Sequence, residues 1–317
     1  MAPRTGIAVA AVVGLAATAV AYATLVEPRA YRVRRETLPV LSPGADAIRV
    51  LHLSDLHLAP WQQERIDWVR GLGVLRPDLI VNTGDNVGHR DALPALAEAF
   101  APFDGIPGVF VNGSNDYFEP QFTNPLRYFW GPSKGALGET AAPLDVAAME
   151  RLFTERHGWH SLNNDVAKLS INGSILEFMG TNDAHRGWDR LDILPGLVDA
   201  LRELDEDDTD EPATTIGVTH APYRRVLDAF TTQGADVMFA GHTHGGQVGL
   251  PGFGAIVTNC DIPRDRARGL SMWQHAHHAS FLNVSSGLGH SIYAPIRFAC
   301  PPEAVLVTLV PDDIGYS

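Results

Sequence analysis

Hydrophobic and polar residues alternate along this chain in a pattern that predicts short buried strands separated by longer helices. The predicted strands are Ile48–Leu53, Leu79–Asn82, Val109–Val111, Leu176–Met179, Thr215–Val218, Val237–Ala240, Phe281–Val284 and Ala304–Leu309. The predicted helices are Pro60–Leu75, Ala92–Phe100, Asp145–His157, Leu191–Leu204 and Tyr223–Phe230. This mixture predicts an α/β fold, a two-layered central β-sheet sandwich flanked by helices, over residues 48–317. Residues 29–47 are predicted to be a linker that contains a candidate first strand, Tyr31–Val40.

The N-terminal region has a different pattern. Gly6 to Val26 is a run of 21 residues without a charged side chain, and as a helix it would span roughly 30 Å, the thickness of a bilayer core. We expect residues 1–28 to be a single N-terminal anchor in the cell membrane. A cleaved secretory signal is the alternative, because Ala21-Tyr22-Ala23 fits a signal-peptidase site. Arginines after the run favour a cytoplasmic domain and the signal-like start favours the opposite side, so the sequence leaves the side open.

Composition narrows the function classes. Hydrophobic residues make up 45% and charged residues 19% of the chain, as in ordinary globular proteins. The formal net charge of −13 argues against a non-specific grip on nucleic acid, which requires a basic face. The acidic stretch Glu203–Glu211 is predicted to be a solvated loop, and Phe118–Leu144 an ordered insertion near the site. Cys260 and Cys300 are predicted to be unpaired thiols.

Five polar motifs each follow a predicted strand. They are Ser54-Asp55-Leu56-His57, Thr83-Gly84-Asp85-Asn86, Gly113-Ser114-Asn115-Asp116, Thr219-His220-Ala221-Pro222 and Gly241-His242-Thr243-His244-Gly245-Gly246. Ligands of open α/β sheets bind outside the carboxyl ends of the strands, so we expect these side chains to converge. Asp55 and His57 are alternate residues at a strand end and can face one pocket. His242 and His244, flanked by three glycines, are hard to explain by packing.

Taken singly, each motif could be a plain turn or a structural histidine, but together they predict a metal centre. Asp85 carries two oxygens and could bridge two cations. Imidazole and carboxylate ligands mixed in one site favour Mn, Fe, Zn or Co over Ca or Mg. We therefore expect two divalent metal ions as cofactors.

The order of these motifs closely resembles the calcineurin-like metallophosphoesterase superfamily over about residues 49–303. The segments Ser286–Gly289, Pro295–Arg297 and Pro301–Glu303 are similar to its bacterial branch with an N-terminal membrane segment. The resemblance implies the fold of that family over residues 48–317, and a binuclear phosphatase or phosphodiesterase in which a metal-bridged hydroxide attacks phosphorus. It implies that one metal is held by Asp55, His57, Asp85 and His244. It implies that the second is held by Asp85, Asn115, His220 and His242.

The third motif departs from the family pattern Gly-Asn-His-Asp. An ungapped match places Ser114 where the family has its ligand and Asn115 where it has a histidine that assists the leaving group. A one-residue backbone shift would restore Asn115 as the ligand, which we expect because an amide carbonyl is a better ligand than a hydroxyl. In the absence of that histidine, Asp116, His185 or His290 could protonate the leaving group. The predicted catalytic residues are Asp85, His242 and Asp116.

The expected partner is a phosphoester substrate, which a membrane location would make lipid-linked. A non-catalytic metal-binding scaffold of the same fold is the main alternative, because of the altered third motif. Another binuclear hydrolase, acting on amides or lactones, is a second alternative. The sequence leaves open whether the substrate is a monoester or a diester, and it leaves the oligomeric state open.

Overall fold

Two six-stranded sheets form the centre of the molecule in a computed structural model that describes residues 2–121, 141–203 and 213–312. The first sheet has the spatial order β1 (Arg32–Leu41), β14 (Glu303–Pro311), β2 (Ile48–Leu53), β3 (Leu79–Asn82), β4 (Gly108–Phe110) and β5 (His160–Ser161). The second has the order β12 (Gly269–His275), β13 (His278–Val284), β9 (Val237–Ala240), β8 (Thr214–Val218), β7 (Ser174–Gly180) and β6 (Val166–Ile171). A separate hairpin is formed by β10 (Gly249–Leu250) and β11 (Gly254–Ala255).

Parallel pairing prevails at the centre of both sheets. In the first sheet β2, β3, β4 and β5 run parallel, and β14 is antiparallel to β2 but parallel to β1. In the second sheet β7, β8, β9 and β13 run parallel, and the edge strands β6 and β12 are antiparallel to their neighbours. The carboxyl ends of the parallel strands therefore gather at one edge of each sheet, where polar loops can meet.

The described residues form the helices α1 (Ala2–Ala21), α2 (Gln63–Gly71), α3 (Leu93–Phe100), α4 (Ser114–Tyr117), α5 (Val146–Arg151), α6 (Leu194–Glu203) and α7 (Arg224–Thr232). Of these, α2, α3 and α5 pack on the outer face of the first sheet, and α6 and α7 pack on the outer face of the second. Alternation along the strands produces three layers of core. In β3, Leu79 and Val81 face the second sheet, whereas Ile80 packs with residues of α2 and α3. In β9, Phe239 lies between the sheets and Met238 faces α7. The predicted α/β sandwich is confirmed.

The candidate first strand within residues 29–47 belongs to the sandwich as β1. It pairs in parallel with β14 from Arg32 opposite Glu303 to Leu38 opposite Leu309. Most of the predicted insertion Phe118–Leu144 and of the predicted acidic loop Glu203–Glu211 lies outside the described residues. Both cysteines are buried free thiols, as predicted.

In the second half of α1, several apolar side chains are exposed to solvent. Val12 is 69% exposed and Leu15 is 78% exposed. Within residues 2–121, 141–203 and 213–312, no helix combines the length and the apolar character needed to cross a bilayer. The structure therefore gives no support to the membrane anchor that the sequence predicts over residues 1–28.

Candidate metal centre

Loops from both sheets meet at the carboxyl ends of the strands. The amide of Asp55, after β2, donates to the carbonyl of Gly84, after β3, at 2.9 Å. The amide of Gly241, after β9, donates to the carbonyl of His220, after β8, at 2.9 Å. The two sheets are connected here because the amide of His242 donates to the Asp55 carboxylate at 3.0 Å. The five motifs thus lie in one place, at the edge where the parallel strands end.

One group of potential ligands consists of Asp55, His57 and His244, whose ligand atoms all lie within 4.8 Å of one another. The Nε2 atoms of His57 and His244 are 3.2 Å apart. His244 Nε2 is 3.6 Å from Asp55 Oδ1, and His57 Nε2 is 3.5 Å from Asp85 Oδ2. Two imidazole nitrogens and two carboxylates that face the same small space are suited to hold a cation.

A second group consists of Asp55, Asp85 and His220, again within 4.8 Å of one another. His220 Nδ1 is 2.7 Å from the carbonyl of Thr83, so it donates its proton there. In the neutral imidazole the lone pair therefore lies on Nε2, which is 3.5 Å from Asp85 Oδ2. Nε2 of His220 is buried without a hydrogen-bond partner among the described residues. A buried acceptor aimed at a carboxylate fits a metal ligand.

His242 and Asn115 lie beside the second group. The His242 ring is centred 5.1 Å from the His220 ring, and its Nε2 is 3.3 Å from the carbonyl of Asn259. The same Nε2 is 3.2 Å from Nδ2 of Asn259, so the main chain and the side chain of Asn259 both contact this edge of the ring. Asn115 donates to Asp85 twice, from its amide at 2.8 Å and from its side chain at 2.7 Å. The residues predicted as metal ligands therefore lie together.

The side chains of the third motif point in different directions. The hydroxyl of Ser114 donates to the carboxylate of Asp183 and lies 3.3 Å from Nε of Arg186. Asn115, one residue later, contacts Asp85 instead. In this geometry the amide, and not the hydroxyl, is next to the predicted bridging carboxylate.

Asp116, one of the predicted catalytic residues, is hydrogen-bonded to the backbone of the Asp85 loop. Its carboxylate is fully buried and accepts the backbone amides of Asp85, Asn86 and Gly113 at 2.8, 2.7 and 2.9 Å. Burial raises the pKa of Asp116 to about 7, while the amide donors favour the charged form. Three hydrogen bonds from backbone amides to this carboxylate hold the Asp85 loop in place.

The two other candidate proton donors lie on different sides of the centre. The His185 ring is centred 4.5 Å from the His242 ring, and its Nδ1 is 2.8 Å from the hydroxyl of Tyr223. His290 is 7% exposed, and burial lowers its pKa to about 3. Of the two, His185 is on the side of the second ligand group.

Opposite charges dominate the electrostatics. Burial alone would raise the pKa of Asp85, but His220 and His57 outweigh it and lower that pKa to about 2. Burial alone would lower the pKa of His220, but Asp85 and Asp55 outweigh it and raise that pKa to about 9. Burial lowers the pKa of His57 to about 4. In the metal-free protein, the proton on His220 partly compensates the carboxylates where a cation would otherwise do so.

The backbone at the centre is strained. Five residues that are not glycine lie in the left-handed region, where such residues cost of order 1–3 kcal/mol each. They are Asp55 (φ 50°), His57 (φ 42°), Asp85 (φ 54°), His242 (φ 66°) and His244 (φ 48°). All five are predicted ligands, and strain that accumulates in this way is typical of a functional site.

Sequence reasoning assigned no structural role to two residues that support the ligands. Thr83 fixes the tautomer of His220. Arg297 is fully buried and donates from Nη2 to three backbone carbonyls, those of Ser286, Gly287 and Gly289. Its Nη2 also lies 3.5 Å from Nδ1 of His244. No pattern in the sequence connects these distant positions to the ligands.

Comparisons with known proteins agree with this geometry. The profile of the family described as calcineurin-like phosphoesterase matches residues 48–246, more than half of the chain. The uncharacterized metallophosphoesterase YkuE of Bacillus subtilis is 25% identical over 300 residues, 91% of this chain and 88% of that protein. An uncharacterized metallophosphoesterase of Aquifex aeolicus is 25% identical over 284 residues, 88% of this chain and 90% of that protein.

Solved structures show more distant similarity. TT1561 of Thermus thermophilus has a TM-score of 0.44 and 12% identity, over 77% of this chain and 91% of that one. A dimetal phosphatase from Danio rerio has a TM-score of 0.39 and 10% identity, over 76% and 88%. The family match over residues 48–246 and the ligand groups together settle the assignment. The chain belongs to the calcineurin-like phosphoesterase family and is a metal-dependent phosphoester hydrolase.

Proposed function

We propose that the chain binds two divalent cations side by side and hydrolyses a phosphoester with water activated at that pair. The observation that carries this proposal is the pair of ligand groups that share Asp55, one completed by His57 and His244 and the other by Asp85 and His220. The first cation would be held by Asp55, His57, Asp85 and His244. The second would be held by Asp85, Asn115, His220 and His242. Imidazoles mixed with carboxylates favour Mn, Fe, Zn or Co.

When bound, such cations lower the pKa of water and neutralise phosphate oxygens. The residues of the chain then have three tasks. Asp85 Oδ2 is 3.5 Å from both His57 Nε2 and His220 Nε2, one histidine of each group, and can keep the two cations close. Thr83 binds Nδ1 of His220, so that Nε2 is the nitrogen that can bind a cation once its proton is displaced. Asn115 fixes the orientation of the Asp85 carboxylate through two hydrogen bonds.

The test compares Asp85→Asn with Asp91→Asn, a control whose side chain is 74% exposed. Metal content is measured by mass spectrometry, and turnover with bis(4-nitrophenyl) phosphate and added Mn²⁺. We expect Asp85→Asn to bind less metal and to have a turnover reduced by more than about 100-fold, because a neutral amide cannot bridge two cations. The control should match the unmodified chain.

Two outcomes would contradict the proposal. Near-normal turnover by Asp85→Asn with full metal content would remove Asp85 from the centre. Two bound metals in the unmodified chain without hydrolysis of any monoester or diester in a panel would favour the non-catalytic scaffold. The same panel decides between phosphatase and phosphodiesterase.

We also propose that the protein works at a cell membrane, on a phosphoester that is attached to a lipid. The support is the uncharged run from Gly6 to Val26 together with the exposure of Leu15, at 78%, and Val20, at 59%. Apolar side chains exposed in this number on one segment are typical of an interaction surface.

A further inference from the structure

A hairpin with an apolar tip projects from the metal centre. The turn that carries His244 ends at Gly246, and β10 begins three residues later at Gly249. At the tip of the hairpin, Leu250 is 52% exposed and Phe253 is 88% exposed. The value for Phe253 is the highest among the large hydrophobic side chains that the structure describes. Leu250 and Phe253 together give this hairpin an exposed apolar tip.

The helical turn Tyr22–Val26 lies next to this hairpin. The amide of Gly249 donates to the carbonyl of Phe298 at 2.8 Å, and the Phe298 ring is centred 6.3 Å from the Tyr22 ring. Tyr22, Phe298 and Pro251 line one cavity. On the same turn, Leu25 is 62% exposed and Val26 is 53% exposed. We call Tyr22, Leu25, Val26, Leu250 and Phe253 together the apolar rim.

Hydrogen bonds fix the apolar rim to a predicted metal ligand. The carboxylate of Glu27, directly after the Tyr22–Val26 turn, accepts the amides of Ala299 and Cys300. The thiol of Cys300 donates to the carbonyl of His244 at 3.0 Å. Glu27 is 2% exposed, so this connection is buried. Any surface that covers the apolar rim is therefore held at a fixed position relative to the metal centre.

Cationic side chains lie beside the apolar rim. Arg32 and Arg268 line the cavity that contains Tyr22 and Pro251. Arg32 pairs with Glu303, yet its side chain remains 44% exposed. Arginines next to apolar side chains match the anionic headgroups and acyl chains of a lipid surface. The apolar residues also continue without a charge into α1, which favours a bilayer over a protein partner of limited size.

We propose that the apolar rim is a bilayer contact, with the β10–β11 tip inserted among the headgroups, and that it holds the metal centre at the lipid surface. The inference rests on the proposed function for its chemistry and adds the surface by which a lipid-attached phosphoester reaches the site. Because the contact involves two elements, the hairpin and the Tyr22–Val26 turn, it fixes the orientation of the domain relative to the bilayer. A single N-terminal segment would not fix that orientation.

The test places an environment-sensitive nitrobenzoxadiazole probe on the full chain at Phe253→Cys. The matched control is Val74→Cys, at a side chain 78% exposed in another turn. Both native cysteines are buried and are expected to react slowly. With vesicles of phosphatidylcholine and phosphatidylglycerol, we expect a blue shift and quenching by doxyl-labelled lipid at position 253 and neither at position 74. The variant Leu250→Ser with Phe253→Ser should bind these vesicles about 10-fold more weakly.

Three outcomes are decisive. If the probe at position 253 keeps its aqueous emission while the protein floats with the vesicles, the proposal is overturned. A blue shift that grows with protein concentration in the absence of lipid would assign the apolar rim to a second copy of the chain, which also overturns it. Turnover of bis(4-nitrophenyl) phosphate by the same unlabelled protein tests the chemistry separately. Loss of that turnover, with the probe inserted, would contradict the proposed function and leave the bilayer contact standing.

Discussion

At the residue scale, partners that are distant in the sequence hold the side chains of the metal centre in place. The ligand atoms of Asp55, His57 and His244 lie within 4.8 Å of one another. The tautomer of His220 depends on Thr83, which is 137 residues away. The placement of Asn115 beside Asp85 depends on a helical turn that begins at Ser114. Neither arrangement has a local signal in the sequence.

The raised pKa of His220 predicts that metal binding releases a proton. In the metal-free protein this pKa is about 9, so near neutral pH Nε2 carries a proton that a cation must displace. Calorimetric titration with Zn²⁺ in buffers of different ionisation enthalpy counts these protons. We expect the unmodified chain to release about one proton more than His220→Gln. His160→Gln, at an exposed position in β5, is the control and should behave like the unmodified chain.

The same pKa shift sets the direction of a stability change in the metal-free protein. A folded-state pKa of about 9, raised from 6.5, adds stability that is fully present below pH 6.5 and is lost as the pH rises through about 9. Over this window the Tm of the metal-free unmodified chain should fall further than the Tm of His220→Gln. If the Tm of the unmodified chain and the Tm of His220→Gln fall equally over this window, and both proteins release the same number of protons on binding Zn²⁺, then His220 is neutral in the metal-free protein.

At the element scale, the predictions are most accurate for strands that are buried on both faces. The runs Ile48–Leu53, Leu79–Asn82 and Val237–Ala240 are β2, β3 and β9 with the predicted bounds, because continuous apolar runs arise where both faces of a parallel strand are covered. The edge strands β6 and β12 were not predicted. Their exposed face carries polar residues such as Lys168 and Gln274, and what makes them strands is pairing with β7 and β13, which periodicity does not reveal.

The loop after β3 supplies a prediction at the same scale. Gly84 has φ +88°, and a Cβ there would lie 2.8 Å from the carbonyl carbon of Asn112. Gly234 has nearly the same φ, +86°, with open space around it. We expect Gly234→Ala to cost about 1–2 kcal/mol of unfolding free energy from backbone strain alone. Gly84→Ala should cost about 1–3 kcal/mol more from the clash and should lower metal content, since Asp85 follows directly.

Denaturant unfolding of the metal-free variants and metal analysis check this pair. If Gly84→Ala costs no more than Gly234→Ala, the loops after β3 and β4 are not in close contact. If Gly84→Ala loses more unfolding free energy than Gly234→Ala but binds as much metal as the unmodified chain, the Asp85 loop tolerates displacement. The tight turn at Gly84 would then be needed for folding and not for metal binding.

At the scale of the whole molecule, the two ends of the chain are joined near the metal centre. β1 and β14 pair along the edge of the first sheet. Glu27 accepts the amide of Cys300, which is 273 residues away, and the thiol of Cys300 donates to the carbonyl of His244. Contacts over such distances depend on the complete topology. The sequence therefore predicted a linker with a candidate first strand in residues 29–47, but no contact between this end of the chain and the His244 turn. The structure makes the N-terminal segment part of the support of a predicted ligand.

This connection predicts that Glu27→Ala affects metal binding as well as folding. Loss of the carboxylate leaves the buried amides of Ala299 and Cys300 without an acceptor, at a cost of about 1–3 kcal/mol in unfolding free energy. The turn that carries His244 should then loosen, and one of two metal equivalents should bind about 10-fold more weakly. Glu64→Ala is the control, because it removes an exposed ion pair with Arg29 in the same segment and should cost at most about 1 kcal/mol.

Thermal unfolding measures the stability of each variant, and calorimetric titration with Mn²⁺ measures the affinity of each metal equivalent. The two effects are therefore measured separately. A lower Tm of Glu27→Ala with both affinities unchanged would mean that the segment only packs on the domain. Equal losses at both equivalents would mean that the whole centre loosens, and not the His244 turn alone. Selective loss at one equivalent, absent in Glu64→Ala, would show that whatever holds the N-terminal segment also acts on the metal centre, through Glu27, Cys300 and His244.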